Sequence, residues 1–143
     1  MDKTIECKQY AEEISDELWR ECEPLIANAA RYANWEFTTD SVRERLASGE
    51  QQLWVVSCNG DIKFVWVTEI CVQVNRKLVI VYSAAGEMEY GWKFWEYMSH
   101  WMLGNGIDEA EVYCRPSMAR LLRRRGLKTR YEVLTIKPFG GME

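Results

Sequence analysis

The chain has 143 residues, 48% of them hydrophobic and 28% charged, which suits one globular domain and excludes a disordered segment. Its formal charge of −4 hides a split: residues 1–111 hold 10 basic and 20 acidic side chains, residues 112–143 hold 8 and 2. A uniformly basic nucleic-acid coat is excluded, while a local anion-binding segment near the C-terminus is not.

No apolar run approaches the roughly 18–20 residues of a membrane span, and residues 1–10 lack the apolar stretch of a secretory signal. Cys7, Cys22, Cys58, Cys71 and Cys114 are odd in number and never spaced as CxxC. They point to buried thiols in a reducing, cytoplasmic setting, with neither disulfide frame nor zinc site. The single histidine, His100, lies among Trp95, Met98, Trp101 and Met102 at helical spacing, so a packing or surface role is expected and no metal site.

In chain order, residues 4–7 read as a short strand. Ser15 precedes a helical pattern of Leu18, Cys22, Leu25/Ile26, Ala29 and Tyr32/Ala33, with Asp16 and Glu17 suiting its dipole and Pro24 predicting a kink or break. Thr39 or Asp40 can cap a second helix that buries Val42 and Leu46 and stops at Gly49. Residues 53–58 are strand-like and end in Asn59-Gly60, a hairpin signal. Residues 62–74 alternate Ile62, Phe64, Trp66, Thr68, Ile70, Val72 and Val74 on one predicted face, and 78–82 read as a central strand, completing a meander. Residues 83–86 read as a loop before a helix that buries Gly91, Phe94/Trp95, Met98 and Trp101/Met102 and ends near Gly104. A strand at 110–114, a helix at 118–125 stopped by Gly126, and a last strand at 131–136 follow. With no repeat or linker, the pattern predicts a single mixed α/β domain over residues 1–143.

That order, with the meander of residues 53–82, the strand, loop and helix of 78–104 and the closing segment ARLLRRRGLKTRYEVLTIKP at 119–138, resembles the GNAT (GCN5-related N-acetyltransferase) family. In detail the closing segment is similar to short, divergent GNAT-like proteins of tailed bacteriophages. The resemblance implies a mostly antiparallel sheet flanked by helices, and transfer of an acetyl group from acetyl-CoA to an amine. It also implies a pyrophosphate cradle after the fourth strand, typically [RQ]-x-x-G-x-[GA]. Here that stretch reads SAAGEMEYGW, offering Ala84, Ala85, Gly86 and Gly91 as cofactor-binding positions. The leading basic or amide residue is missing, and Glu87 and Glu89 stand where diphosphate should lie.

The family's closing-helix motif, N-x-x-A-x-x-x-Y-x-x-x-G-[FL], aligns on Gly126 and Leu127. Arg115, Met118 and Leu122 replace its Asn, Ala and Tyr, and leucine has no proton for a departing thiolate. Candidate catalytic replacements are Glu69 as base and Tyr113 or Cys114 as acid. Each has an ordinary alternative as a solvated charge, core tyrosine or buried thiol.

Seven basic residues crowd positions 115–130. Arg120, Arg123 and Arg124 share a helix face, with Lys128 beyond, and read either as a grip on CoA phosphates, a nucleic-acid backbone or an acidic partner, or as a solvated face balancing the acidic N-terminal part. Of the seven tryptophans, Trp92 falls off the Trp95–Met98–Met102 line and is expected to be partly exposed at a protein interface. The resemblance and the damaged motifs together imply a GNAT-fold binding or virion-assembly protein of a phage, located in host cytoplasm or virion, with a degenerate acetyl-CoA site. The alternative is a divergent acetyl-CoA-dependent N-acetyltransferase. A nucleic-acid-associated role ranks third, because no strand carries a stacking platform of aromatics.

Overall fold

The elements run β1 (Ile5–Tyr10), α1 (Asp16–Ala30), α2 (Thr39–Ala47), β2 (Gln51–Cys58), β3 (Asp61–Val72), β4 (Lys77–Gly86), α3 (Met88–Gly104), β5 (Glu109–Val112) and α4 (Pro116–Arg124) in a computed structural model, which describes residues 4–31 and 37–138. They fall into two units: Met1–Tyr113 contains β1 to β5, and Cys114–Glu143 contains α4 and the segment after it. Among the described residues no helix is long and apolar enough to cross a membrane, and no group of His, Cys, Asp and Glu could hold a metal ion.

Local chemistry sets the helix ends. Ser15 caps α1 by accepting the Leu18 N–H at 3.1 Å. Pro24 lies inside α1 yet does not break it. The proline sits on the exposed side, while Trp19, Cys22 and Ile26 hold the opposite face in the core. The expected Tyr32/Ala33 end of this pattern falls outside the described residues. The cap of α2 is Thr38, one residue before the expected Thr39: its side chain accepts the Ser41 N–H at 3.1 Å while Ser41 Oγ accepts the Thr38 N–H at 2.9 Å. This reciprocal capping box satisfies two donors at once, which a cap one residue later would not.

The sheet order is β1-β2-β3-β4-β5, antiparallel throughout except for the parallel pair β4–β5. Asn59 (φ 53°) and Gly60 (φ 85°) make the two-residue β2–β3 turn. The predicted single-face alternation of 62–74 fails at a bulge: Phe64 pairs with Val56 but Ile62 with Ser57, leaving Lys63 extra. Ile62 therefore packs with Val65 and Val67 on the α1/α2 side, whereas Phe64 and Trp66 pack on the α3 side. The strand is buried on both faces through its middle, which a one-face pattern does not describe.

Two cores result. Trp19, Cys22, Ile26, Val42 and Leu46 cover one face of the sheet. Tyr90, Phe94 and Met98 of α3 cover the other, where Phe94 stacks on Trp66 with centroids 4.2 Å apart. Trp54 and Trp66 are buried, and Trp95 and Trp101 pack at the margin of this second core, so much of the tryptophan excess is core. Trp54 Nε1 donates to Thr68 Oγ1 at 2.9 Å, which donates to Gln52 Oε1 at 3.0 Å, satisfying polar atoms inside this wall of rings. His100 is exposed on α3, as a surface role requires.

The expected loop at 83–86 is instead the end of β4, and the expected strand 110–114 stops at Val112. The expected last strand at 131–136 does not form, and residues 127–136 adopt neither helix nor strand. Its alternating pattern is a capacity to pair; a strand needs a neighbour to realise it.

Five thiols are free, and Cys114 is exposed rather than buried. Burial pushes the Cys22 thiol from 9.0 up to about 12, with Glu21 adding to the rise, and Cys7 up to about 11. The folded chain keeps these thiols neutral where the unfolded chain ionises them. Stability should be unaffected below about pH 9 and fall as pH rises toward 12. Urea unfolding across that window checks this, and Cys22→Ala should make the alkaline decline shallower.

Candidate functional site

A second bulge shapes the edge where chemistry can occur. In the β3–β4 ladder Val67 faces Ser83 and Thr68 faces Val81, so Tyr82 is the extra residue. Pairing between β4 and β5 stops there, covering only Leu78–Glu109 through Val81–Val112. Beyond it β4 continues to Gly86 paired with β3, because β5 ends at Val112. The Glu87 N–H donates to Lys63 O at 2.9 Å, which fixes the phase of the antiparallel ladder. In that phase Ser83 and Ala85 direct their amides toward β3, and Ala84 and Gly86 direct theirs to the opposite edge.

At the end of this edge α3 begins. Glu87 is its N-cap residue but makes no side-chain cap, and its carboxylate lies 3.6 Å from Lys63 Nζ. The first-turn N–H groups of α3 therefore keep the partial positive charge of a helix start, with Glu89 the acid in that turn. The two glycines have packing duties. Gly86 (φ +132°) lies where a Cβ would come 2.2 Å from Lys63 O. A Cβ on Gly91 would press on the Phe64 ring at 3.1 Å. Gly91 is buried one turn inside α3, so its smallness serves helix-on-sheet contact.

Polar groups gather around Tyr82. Glu69 accepts from Gln51 Nε2 at 3.3 Å, and Gln51 is fully buried with its Oε1 unpaired. Ser83 Oγ is likewise buried without a partner. The rings of Tyr82 and Tyr113 meet edge-to-face with centroids 6.1 Å apart. Burial raises the Tyr82 pKa, with Glu69 and Tyr113 adding to the rise and Arg45 opposing it. Tyr113 is raised by burial and by Glu111, whose Oε2 accepts its hydroxyl at 3.5 Å. Arg76 fixes that acid from the other side, meeting Glu111 Oε1 at 2.9 Å and Glu109 Oε1 at 3.1 Å. Glu69 and Tyr113 thus flank one tyrosine, Tyr82, which the sequence does not single out. Its only signal was a Tyr closing an apolar run before small residues.

No protein-family model matches the sequence, and no curated protein resembles it significantly. Solved structures do resemble it in shape. An aminoglycoside acetyltransferase, meta-AAC0020, from an uncultured soil metagenomic sample in complex with sisomicin superposes with a TM-score of 0.70 at 13% identity, over 93% of this chain and 94% of its own. The aminoglycoside N-acetyltransferase AAC(6')-Iy in complex with CoA gives 0.70 at 10% identity, over 97% of each chain. A ribosomal-protein-alanine N-acetyltransferase from Brucella melitensis biovar Abortus 2308 gives 0.69 at 10%, over 96% of this chain and 100% of its own. The fold is that of the GNAT acetyltransferases.

Within the second unit the helix stop that the sequence implies at Gly126 and Leu127 forms. Pro116 starts α4, Gly126 (φ +101°) follows its end, and the Leu127 N–H returns to Leu122 O at 3.2 Å. Leu122, at the position of the motif's Tyr, is buried. Cys114 is exposed, and desolvation raises its thiol while Arg123 pulls the other way, so it is not an activated thiolate. Arg120, Arg123, Arg124 and Lys128 are exposed, and Arg123 Nη1 donates to Thr129 Oγ1 at 3.1 Å. Trp92 on α3 is half-buried.

Proposed function

We propose that the protein is a divergent acetyl-CoA-dependent N-acetyltransferase acting on an amine. The observation supporting this most is the run of β4 past the end of β5, with the amides of Ala84 and Gly86 on the side away from β3 and the start of α3 beside them. Backbone donors and a helix N-terminus are what a diphosphate needs, and Glu87 is diverted to Lys63 rather than folded over the helix end. The Ala85 amide is spent in the ladder, so Ala84 and Gly86 are the better candidates to hold the cofactor.

Bound acetyl-CoA would supply an activated thioester. Glu69, held by Gln51, would take the ammonium proton of the acceptor as its nitrogen forms the amide. Tyr113, placed beside Tyr82 and hydrogen-bonded to Glu111, would give its proton to the departing sulfur in place of the missing closing-helix tyrosine and recover one as the amide nitrogen sheds its second. Calorimetry with acetyl-CoA should detect binding, and its absence at millimolar ligand would overturn the reading. Glu69→Gln should keep that binding while lowering turnover on a primary-amine panel about a hundredfold.

A second reading, a GNAT-fold binding or virion-assembly component of a phage without turnover, draws on the buried Leu122 and the exposed arginines. Under it acetyl-CoA would not bind, and Arg123→Glu would release an acidic protein partner.

A further inference from the structure

The first strand carries a pattern that its own sheet does not use. Among the described residues β1 is bonded to β2 alone, so one side of its backbone lacks a ladder partner. The phase of the ladder decides which residues face that side. The Asn59 N–H donates to Thr4 O at 2.9 Å and the Thr4 N–H donates to Asn59 Oδ1 at 3.0 Å, so Thr4 turns its backbone toward β2. Glu6, Lys8 and Tyr10 share that phase, while Ile5, Cys7 and Gln9 direct their amides and carbonyls away from the sheet. Side chains alternate with the same period. Ile5 and Cys7 pack on the α3 side and Tyr10 on the α1/α2 side. Glu6 and Lys8 lie on the face of Tyr10, more than half exposed, and meet each other at 3.9 Å.

We propose that β1 pairs antiparallel with β1 of a second copy of this chain, about a two-fold axis at Cys7, joining two five-stranded sheets into one. Outward backbone groups must meet outward ones, so the register can change only in steps of two residues. With Cys7 opposite Cys7, Glu6 of each copy stands opposite Lys8 of the other. A step one way sets Glu6 against Glu6, and a step the other way sets Lys8 against Lys8, so charge selects the central register. That register keeps the ion pair within each strand, because the four charges then alternate in sign. The opposed charges also fall at positions that are not hydrogen-bonded, where facing side chains come closest. Charges on an edge strand ordinarily turn other strands away; here they admit a copy of the same strand in one register. About six interchain hydrogen bonds result, a small interface, so the dimer should come apart on dilution. The inference is independent of any acetyl transfer.

Light scattering on the full chain from about 1 μM to about 1 mM should show a monomer–dimer equilibrium, the range in which small interfaces associate. Glu6→Lys and Lys8→Glu should each weaken it about tenfold or more, because the two-fold axis makes each substitution oppose like charges twice. Mixed in equal amounts, the two variants should associate at least as strongly as the wild type, since one strand then brings two cations and the other two anions in the same register. Gln9→Pro removes an outward N–H while sparing the bonds to β2. It should abolish the dimer with unchanged far-ultraviolet circular dichroism, and it stands in if a charge variant misfolds. A wild-type monomer at every concentration overturns the proposal. So does a dimer untouched by Gln9→Pro, or a mixture that associates no better than its components.

Discussion

Gly86→Ala should destabilise the fold by about 3 kcal/mol or more, the range of a strained backbone compounded by a steric clash. The added Cβ would meet Lys63 O at 2.2 Å and Phe64 Cα at 2.8 Å, and both are backbone atoms that cannot swing aside as a flexible side chain would. The residue's φ of +132° is itself a conformation that side chains disfavour. Relief requires moving the Lys63 bulge, which loosens the Glu87 N–H to Lys63 O bond and with it the entry to α3. Gly60→Ala is the control: it has a φ of +85° but nothing within 4 Å of the new Cβ, so only strain of about 1 kcal/mol remains. Urea unfolding of the two variants separates the effects. Equal losses would mean that contact with Lys63 contributes nothing. Because Gly86 also ends β4, any acetyl-CoA affinity should fall more in Gly86→Ala than in Gly60→Ala.

This glycine also shows why the sequence was readable in some places and not in others. The Ser15 cap, the Asn59-Gly60 hairpin and the Gly126-Leu127 helix stop are local devices, each complete within a few residues, and each forms where predicted. The two bulges are not local. Lys63 and Tyr82 become extra residues only through their pairing partners, and nothing in DIKFVW or VIVYS says which residue a neighbouring strand will skip. One bulge hides the two-sided burial of β3; the other hides the place of Tyr82. The SAAG stretch reads as a loop because Ser, Ala and Gly favour strands weakly, yet β3 pairs with it through Gly86. The acidic pair Glu87 and Glu89 argued against phosphate binding from charge alone. The approach of Glu87 to Lys63 depends on that same bulge and could not be read from spacing.

Phe94→Ala should cost about 3–5 kcal/mol, the range for removing a fully buried aromatic ring. Phe94 has no exposed surface and sits among three indoles: stacked on Trp66 at 4.2 Å and 11°, edge-on to Trp54 at 5.2 Å, and edge-on to Trp95 at 5.8 Å. Large rigid rings collapse poorly into a void, so the cavity term should be near its upper value. Trp66 Nε1 and Trp95 Nε1 are buried there without hydrogen-bond partners, a desolvation cost that the packing of these rings has to outweigh. Removing Phe94 takes a ring contact from both. Phe94→Leu keeps most of the volume and should cost appreciably less, about 1–2 kcal/mol, with the remainder assigned to lost stacking. Denaturant unfolding with near-ultraviolet circular dichroism reads both outcomes, since coupled indoles should lose their fine structure as Trp54 and Trp66 reorient. A loss below about 1.5 kcal/mol for Phe94→Ala would mean that α3 is held to the sheet by its margins, Trp95, Trp101 and Met102, rather than by the ring at its centre.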